Sequence, residues 1–193
     1  MRFATTLFVG LAALAVARPV GATTVLLVPI EEMARGSDLI VRATVAKVQV
    51  VTANDDPRQI WTKVTLRIQK VYKGHQTAPL LTLTLLGGHK GRWTLAVPGM
   101  PTFRRGADLI LFLEKTRRGF VPAGLSMGKF DVFRDPASGR LKVRRTLAGL
   151  NVLVRGPDGR LQPAPPGSGP DVMDLETLER IIQEALSNQG GER

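Results

Sequence analysis

Residues 60–74 read IWTKVTLRIQKVYKG, and their side chains change character at a period of two. Such a run cannot lie comfortably as a helix, because a helix repeats every 3.6 residues and a strand every two. Trp61, Lys63, Thr65, Arg67 and Gln69 share one face. Ile60, Thr62, Val64, Leu66, Ile68, Lys70 and Tyr72 share the other. Val64, Leu66 and Ile68 are therefore expected to point into a core.

The same signal recurs along the chain. DLIVRATVAKVQVV (38–51) alternates and is rich in β-branched residues, and APLLTLTLLGG (78–88) follows as a third strand. ADLILFLEK (107–115) is a strongly apolar fourth, and GFVPAG (119–124) a short fifth. GKFDVFRD (128–135) and RLKVRR (140–145), joined by a PASG turn, read as a hairpin, and LNVLVR (150–155) as a last strand. Many short strands punctuated by Gly, Pro and Asp argue an all-β barrel or sandwich.

Helices are few. IEEMARGSD (30–38) predicts a short one ending at Gly36. DVMDLETLERIIQEAL (171–186) predicts an amphipathic one, with Asp171 or Asp174 to cap it and Leu175, Leu178, Ile181, Ile182 and Leu186 at helical spacing. That apolar face is expected to pack on the strands; the alternative is a partner-binding helix on a flexible tether. The segment before it, GPDGRLQPAPPGSGP (156–170), reads as a Pro/Gly-rich linker.

The first 22 residues have the build of a secretory signal: Arg2, then the apolar run LFVGLAALAVA (7–17), then VGA (20–22) with small residues at −3 and −1. The expected layout is a signal peptide over 1–22, a β domain over 23–155, a linker over 156–170, and a helix and tail over 171–193. The mature chain is expected to be exported, periplasmic or secreted, and not to span a membrane. The apolar run is shorter than the ~20 residues a spanning helix needs.

The net charge of +11 is uneven. Residues 57–130 hold thirteen Lys and Arg against only Asp108 and Glu114. One reading of this charge is solubility in an arginine-rich composition; the sharper one is attraction to an anionic partner such as an envelope polymer, an acidic polysaccharide or an acidic protein face. Nucleic acid is not expected, since the export signal separates the two and the ten aromatics are not interleaved with the basic residues.

Three segments carry a resemblance: SDLIVRATVAKV, TKVTLRIQKVYKG and FRRGADLILFLE. Together they resemble the OB-fold-like module of netrin C-terminal domains and tissue inhibitors of metalloproteinases. The matching positions are Lys73, Gly74, Phe103, Gly106, Leu109, Leu111 and Phe112. Residues 30–135 resemble more closely a group of uncharacterised bacterial exported proteins, which continue with a segment like PAGLSMGKFDVFRD (122–135). The resemblance implies a mainly β fold, an OB-like antiparallel barrel with a short N-terminal helix and a C-terminal amphipathic helix. The inhibitors chelate protease zinc through an N-terminal cysteine. This chain has no cysteine and would begin at Thr23, so that mode of action does not carry over.

Of the chemistries tested against the sequence, none assembles. GLSMG (124–128) fits the G-x-S-x-G pattern of a nucleophile elbow, yet an elbow needs a helix after the serine, and here an alternating strand pattern follows. Ser126 is expected to be a turn residue; a hydrolase using it is the alternative. His75 and His89 sit among lysines and suggest no metal site. Asp108 and Glu114 lie about 20 Å apart on one strand, too far to cooperate. GGHKG (87–91) lacks the ending and the helix of a phosphate loop.

The connection over 87–106 remains. A long loop without regular structure is uncommon and often functional. It presents His89, Lys90, Arg92, Trp93, Arg104 and Arg105 as candidate binding residues, unless Trp93 and Phe103 plug the end of a barrel. No catalytic residue, metal or cofactor is expected. The expected function is a non-enzymatic exported binding module with a basic surface; a structural accessory protein docking through helix 171–186 is a further alternative.

Overall fold

A computed structural model describes residues 23–53, 56, 58–147, 150–165 and 172–188. The expected signal peptide, 1–22, lies outside the described residues.

Strand β1 (Thr23–Leu26) and helix α1 (Ile30–Gly36) precede two long antiparallel strands, β2 (Leu39–Thr52) and β3 (Ile60–Lys73). β4 (Leu80–Leu86), β5 (Gly88–Lys90), β6 (Trp93–Leu95), β7 (Asp108–Thr116) and β8 (Gly119–Pro122) follow. A 3-10 turn over Leu125–Gly128 leads into β9 (Lys129–Arg134), β10 (Leu141–Arg145), β11 (Leu150–Arg155), β12 (Leu161–Pro163) and β13 (Val172–Asp174). Helix α2 (Leu175–Ser187) ends the described chain. The fold is mainly β, with antiparallel pairing throughout the large sheet.

That sheet runs β13-β10-β9-β7-β2-β3-β4, with β8 also paired to β7. Its central strands are buried on both faces, which explains why β7 reads as an unbroken apolar run rather than an alternation. On one face Ile40, Ile110, Phe112, Phe130 and Val143 meet Met33 and Ala34 of α1 and Leu178, Ile182 and Ala185 of α2. Phe112 and Phe130 pack at 5.5 Å between ring centroids. On the other face Leu39, Val41, Ala43 and Val45 join Val64, Leu66, Leu83, Leu85, Leu109, Leu111 and Leu113. Val64 and Leu66 are buried as their alternation predicts, and Ile68 packs partly buried beside them.

Among the described residues no helix contributes to this second core; the curled sheet encloses it together with Met100, Phe103 and Ala107. The register of β2 on β3 shifts at Ile40/Val41, Arg42/Ala43 and Val45/Lys47, and such irregularities bend and twist a strand. The curl brings β4 against β8. No ladder joins them among the described residues, so the expected closed OB-like barrel is not formed. Closure requires a continuous staggered ladder. β8 is four residues long, and its pairing is with β7.

The amphipathic helix is shorter than expected. Val172–Asp174 pair with β10 as β13, so the helix begins at Leu175 rather than 171, and Asp171 lies outside the described residues. Asp174 occupies the N-cap position without a side-chain capping bond; its carboxylate meets Arg140 at 3.2 Å. The sheet edge supplies these residues with backbone partners that an extra helical turn would otherwise have to provide. The apolar face of α2 is consumed in the first core, which excludes a helix swinging on a free tether. Glu179 latches it further, accepting from the Tyr72 hydroxyl at 2.5 Å and from Lys70 at 3.0 Å. Burial, then the bond to Glu179, raises the Tyr72 pKa. Burial alone would raise that of Glu179, but the bonds from Tyr72 and Lys70 and the nearby positive charge outweigh it and lower it.

The stretch expected to be a linker is in part a hairpin. Gly156 donates to Arg160 at 2.8 Å, and β12 pairs antiparallel with β11, whose other edge takes β1 in parallel. Residues 166–170 lie outside the described residues.

Candidate functional site: a basic cleft

The glycines of 87–106 divide it. Gly91, at φ +59°, turns the chain between β5 and β6, so the first half is a small hairpin and not an irregular loop. Its polar groups satisfy each other locally: His89 Nδ1 lies 2.8 Å from Thr94 Oγ1, and the Arg92 guanidinium sits 4.9 Å from the Trp93 ring centre. Trp93 remains 38% exposed and plugs nothing.

The second half is drawn across the curled face. Met100, Phe103 and Ala107 pack against its core. Gly106 donates to Val45 at 2.8 Å, and Val45 donates back to Ala107 at 2.9 Å. Gly99 accepts from the Ser126 amide at 3.0 Å. Segment 98–107 is thereby clamped at both ends.

The GLSMG segment faces it. β8 pairs with β7 over Leu113–Thr116 and β9 pairs with β7 over Asp108–Leu111, on the same edge. Between them Ala123–Gly128 leave the ladder opposite Phe112, whose carbonyl takes the Ala123 amide at 2.9 Å. Gly124 and Leu125 both adopt positive φ, at 56° and 63°. A Cβ on Gly128 would lie 2.6 Å from the Ala123 carbonyl oxygen and 2.8 Å from that of Phe112, so only glycine fits. The motif is a bulged excursion returning to a strand, as the sequence suggests.

Ser126 is buried, at 6% exposure, and its hydroxyl has no hydrogen-bond partner among the described residues. Among the described residues no histidine or carboxylate therefore lies within bonding reach of it, and they do not assemble the triad of a serine hydrolase around it. Among the described residues no three His, Asp or Glu side chains gather as a metal site.

Ser126 instead lines a cleft of about 960 Å³ bounded by segment 100–107, β9 and β10. Four cations and two carboxylates line it: Arg104, Arg105, Lys129, Arg144, Asp108 and Asp131. The carboxylates are neutralised. Arg42 grips Asp108 with two bonds, at 2.6 and 3.2 Å, and the bond outweighs burial to raise the arginine pKa. Lys129 holds Asp131 at 2.5 Å. Among the described residues no carboxylate pairs with Arg104, Arg105 or Arg144. Arg144 rests 4.8 Å from the Phe133 ring centre and Lys129 5.7 Å from that of Phe103.

No protein-family model matches this chain, and neither does any curated protein. The cleft must speak for itself. It divides the expected binding residues. Arg104 and Arg105 line it, while His89, Lys90, Arg92 and Trp93 stand on the β5–β6 hairpin and do not. Sequence reading missed Arg144 and Lys129, and placed Ser126 in a turn without seeing what it faces. Arg144 alternates with buried Val143, which marks it as outward-facing, but only the hairpin register sets it opposite Asp131.

Proposed function

We propose that this chain is an exported, non-enzymatic binding module that meets an anionic partner, a polymer or protein face of the cell envelope or beyond, through the basic cleft. One observation carries this reading: three arginines without carboxylate partners among the described residues share a concave surface whose two acids are already neutralised. A surface basic only for solubility needs no such concavity. The signal-like residues 1–22 support export, as does the resemblance of residues 30–135 to bacterial exported proteins. Among the described residues no helix is long and apolar enough to cross a membrane.

The reading is tested by retention of the purified protein on an immobilised polyanion, with salt elution. Arg104→Glu with Arg105→Glu should elute at clearly lower salt while its circular dichroism stays unchanged. Equal retention of the double variant and the parent would overturn the assignment of the cleft.

A further inference from the structure

We propose that the cleft is a subsite for one acidic sugar residue, a ring bearing hydroxyls and a carboxylate or phosphate group. This rests on the reading of the cleft as an anion-binding surface, and names what fits it.

Size comes first. About 960 Å³ is far more than a bare inorganic ion fills, and falls in the range of sites for small organic molecules. Charge comes second. Arg104, Arg105 and Arg144 offer planar donor forks suited to carboxylate or phosphate oxygens. An anion alone would not be served by carboxylates in the same wall, yet Asp108 and Asp131 are there. Each is neutralised by a cation, and a carboxylate has about four acceptor positions. Arg42 uses two on Asp108 and Lys129 one on Asp131, so acceptors remain for sugar hydroxyls.

The third observation is Ser126. A buried hydroxyl without a partner is costly, and native structures rarely tolerate one without a reason. Its backbone amide is already spent on Gly99, so the side chain alone is available. Ser126 is part of the cleft lining, and a serine hydroxyl can both donate to an oxyanion and accept from a ring hydroxyl.

The sugar can be free or part of an envelope polymer, and titration calorimetry on the purified protein distinguishes the two. The probes are glucuronate, glucose 6-phosphate, glucose, inorganic phosphate and polyglucuronate. One or both acidic sugars should bind, with glucose and inorganic phosphate each at least about tenfold weaker. Ser126→Ala should weaken the acidic sugar by about tenfold. Arg144→Gln, at an exposed position, gives the same readout should the serine variant fail to fold. Displacement of the acidic sugar by polyglucuronate identifies the polymer as a source; no displacement identifies the free sugar. Inorganic phosphate binding as tightly as both acidic sugars overturns the sugar part of the proposal. Polyglucuronate binding with no affinity for either monomer, and unchanged by Ser126→Ala and Arg144→Gln, overturns the subsite while leaving the basic surface intact. No binding of any anion sinks both readings.

Discussion

Residues 88–95 and residues 98–107 are neighbours in sequence, are both basic and each carries a large aromatic, yet the fold uses them differently. The first pairs with itself. Its histidine and threonine satisfy each other, its arginine lies over its tryptophan, and its charges project into solvent. The second is clamped to β2 and to the Ser126 segment, so its arginines are held along one wall of a cleft opposite Arg144 and Lys129. Equal charge becomes a site only where the backbone makes it concave. Low-dielectric walls then focus the field that exposed charges lose to solvent and salt.

Four experiments can break or sharpen that contrast. The largest effect should come from Gly128→Ala, whose added methyl would meet backbone atoms of Ala123 and Phe112 that cannot step aside. A loss of about 3 kcal/mol or more is expected in chemical denaturation. The matching change in the hairpin, Gly91→Ala, meets open space and strains only its φ of +59°, for about 1 kcal/mol. Equal losses would show that the cleft floor is no tighter than the hairpin turn.

Binding should separate the segments next. Arg104→Glu with Arg105→Glu should weaken polyanion affinity by tenfold or more, about 1.4 kcal/mol. Arg92→Glu, on the exposed hairpin, should change it by less than about twofold. The reverse order would move the site to the hairpin.

Acid offers a third probe, because the β9–β10 turn that sets Asp131 opposite Arg144 depends on Asp135. Its carboxylate accepts from Ser138 at 2.6 Å and pairs with Lys142 at 3.0 Å, and these bonds hold its pKa at about 2 against an ordinary 3.8. A depressed carboxylate stabilises the fold above its ordinary pKa and loses that contribution as pH falls towards the folded value. Thermal stability should therefore decline between pH 3.8 and about 2 less steeply in Asp135→Asn than in the parent. Parallel profiles would mean that the turn is not held by this charge.

The smallest change is expected from Trp93→Ala. With 38% of the residue exposed and its main contact a surface guanidinium, stability should fall by no more than about 1 kcal/mol. A loss near 3 kcal/mol would show the tryptophan to be part of the core after all.

Much of the strand framework was legible before any tertiary information. The alternation of Ile60, Val64 and Leu66 is a property of neighbouring residues, and so is the turn chemistry of PASG between β9 and β10. Both act over a few residues and leave a local trace. β1 and β13 left none, since strands of four and three residues carry no measurable period; they exist because β11 and β10 offered edges to pair with. The missing barrel seam is likewise a matter of distance. Whether β4 and β8 share hydrogen bonds depends on the bend accumulated along β2, which no single segment records.

The candidate site divides in the same way. That residues 57–130 are strongly basic, and that Ser126 turns rather than opens a helix, follows from composition and from the glycines around it. That Arg104 and Arg105 share a wall with Arg144, while Arg92 and Trp93 do not, was decided by the register of β9 on β10 and by the clamp on segment 98–107. Periodicity and charge are written along the chain, and a cavity is the space left between parts of the chain far apart in sequence. Only long-range pairing can shape that space.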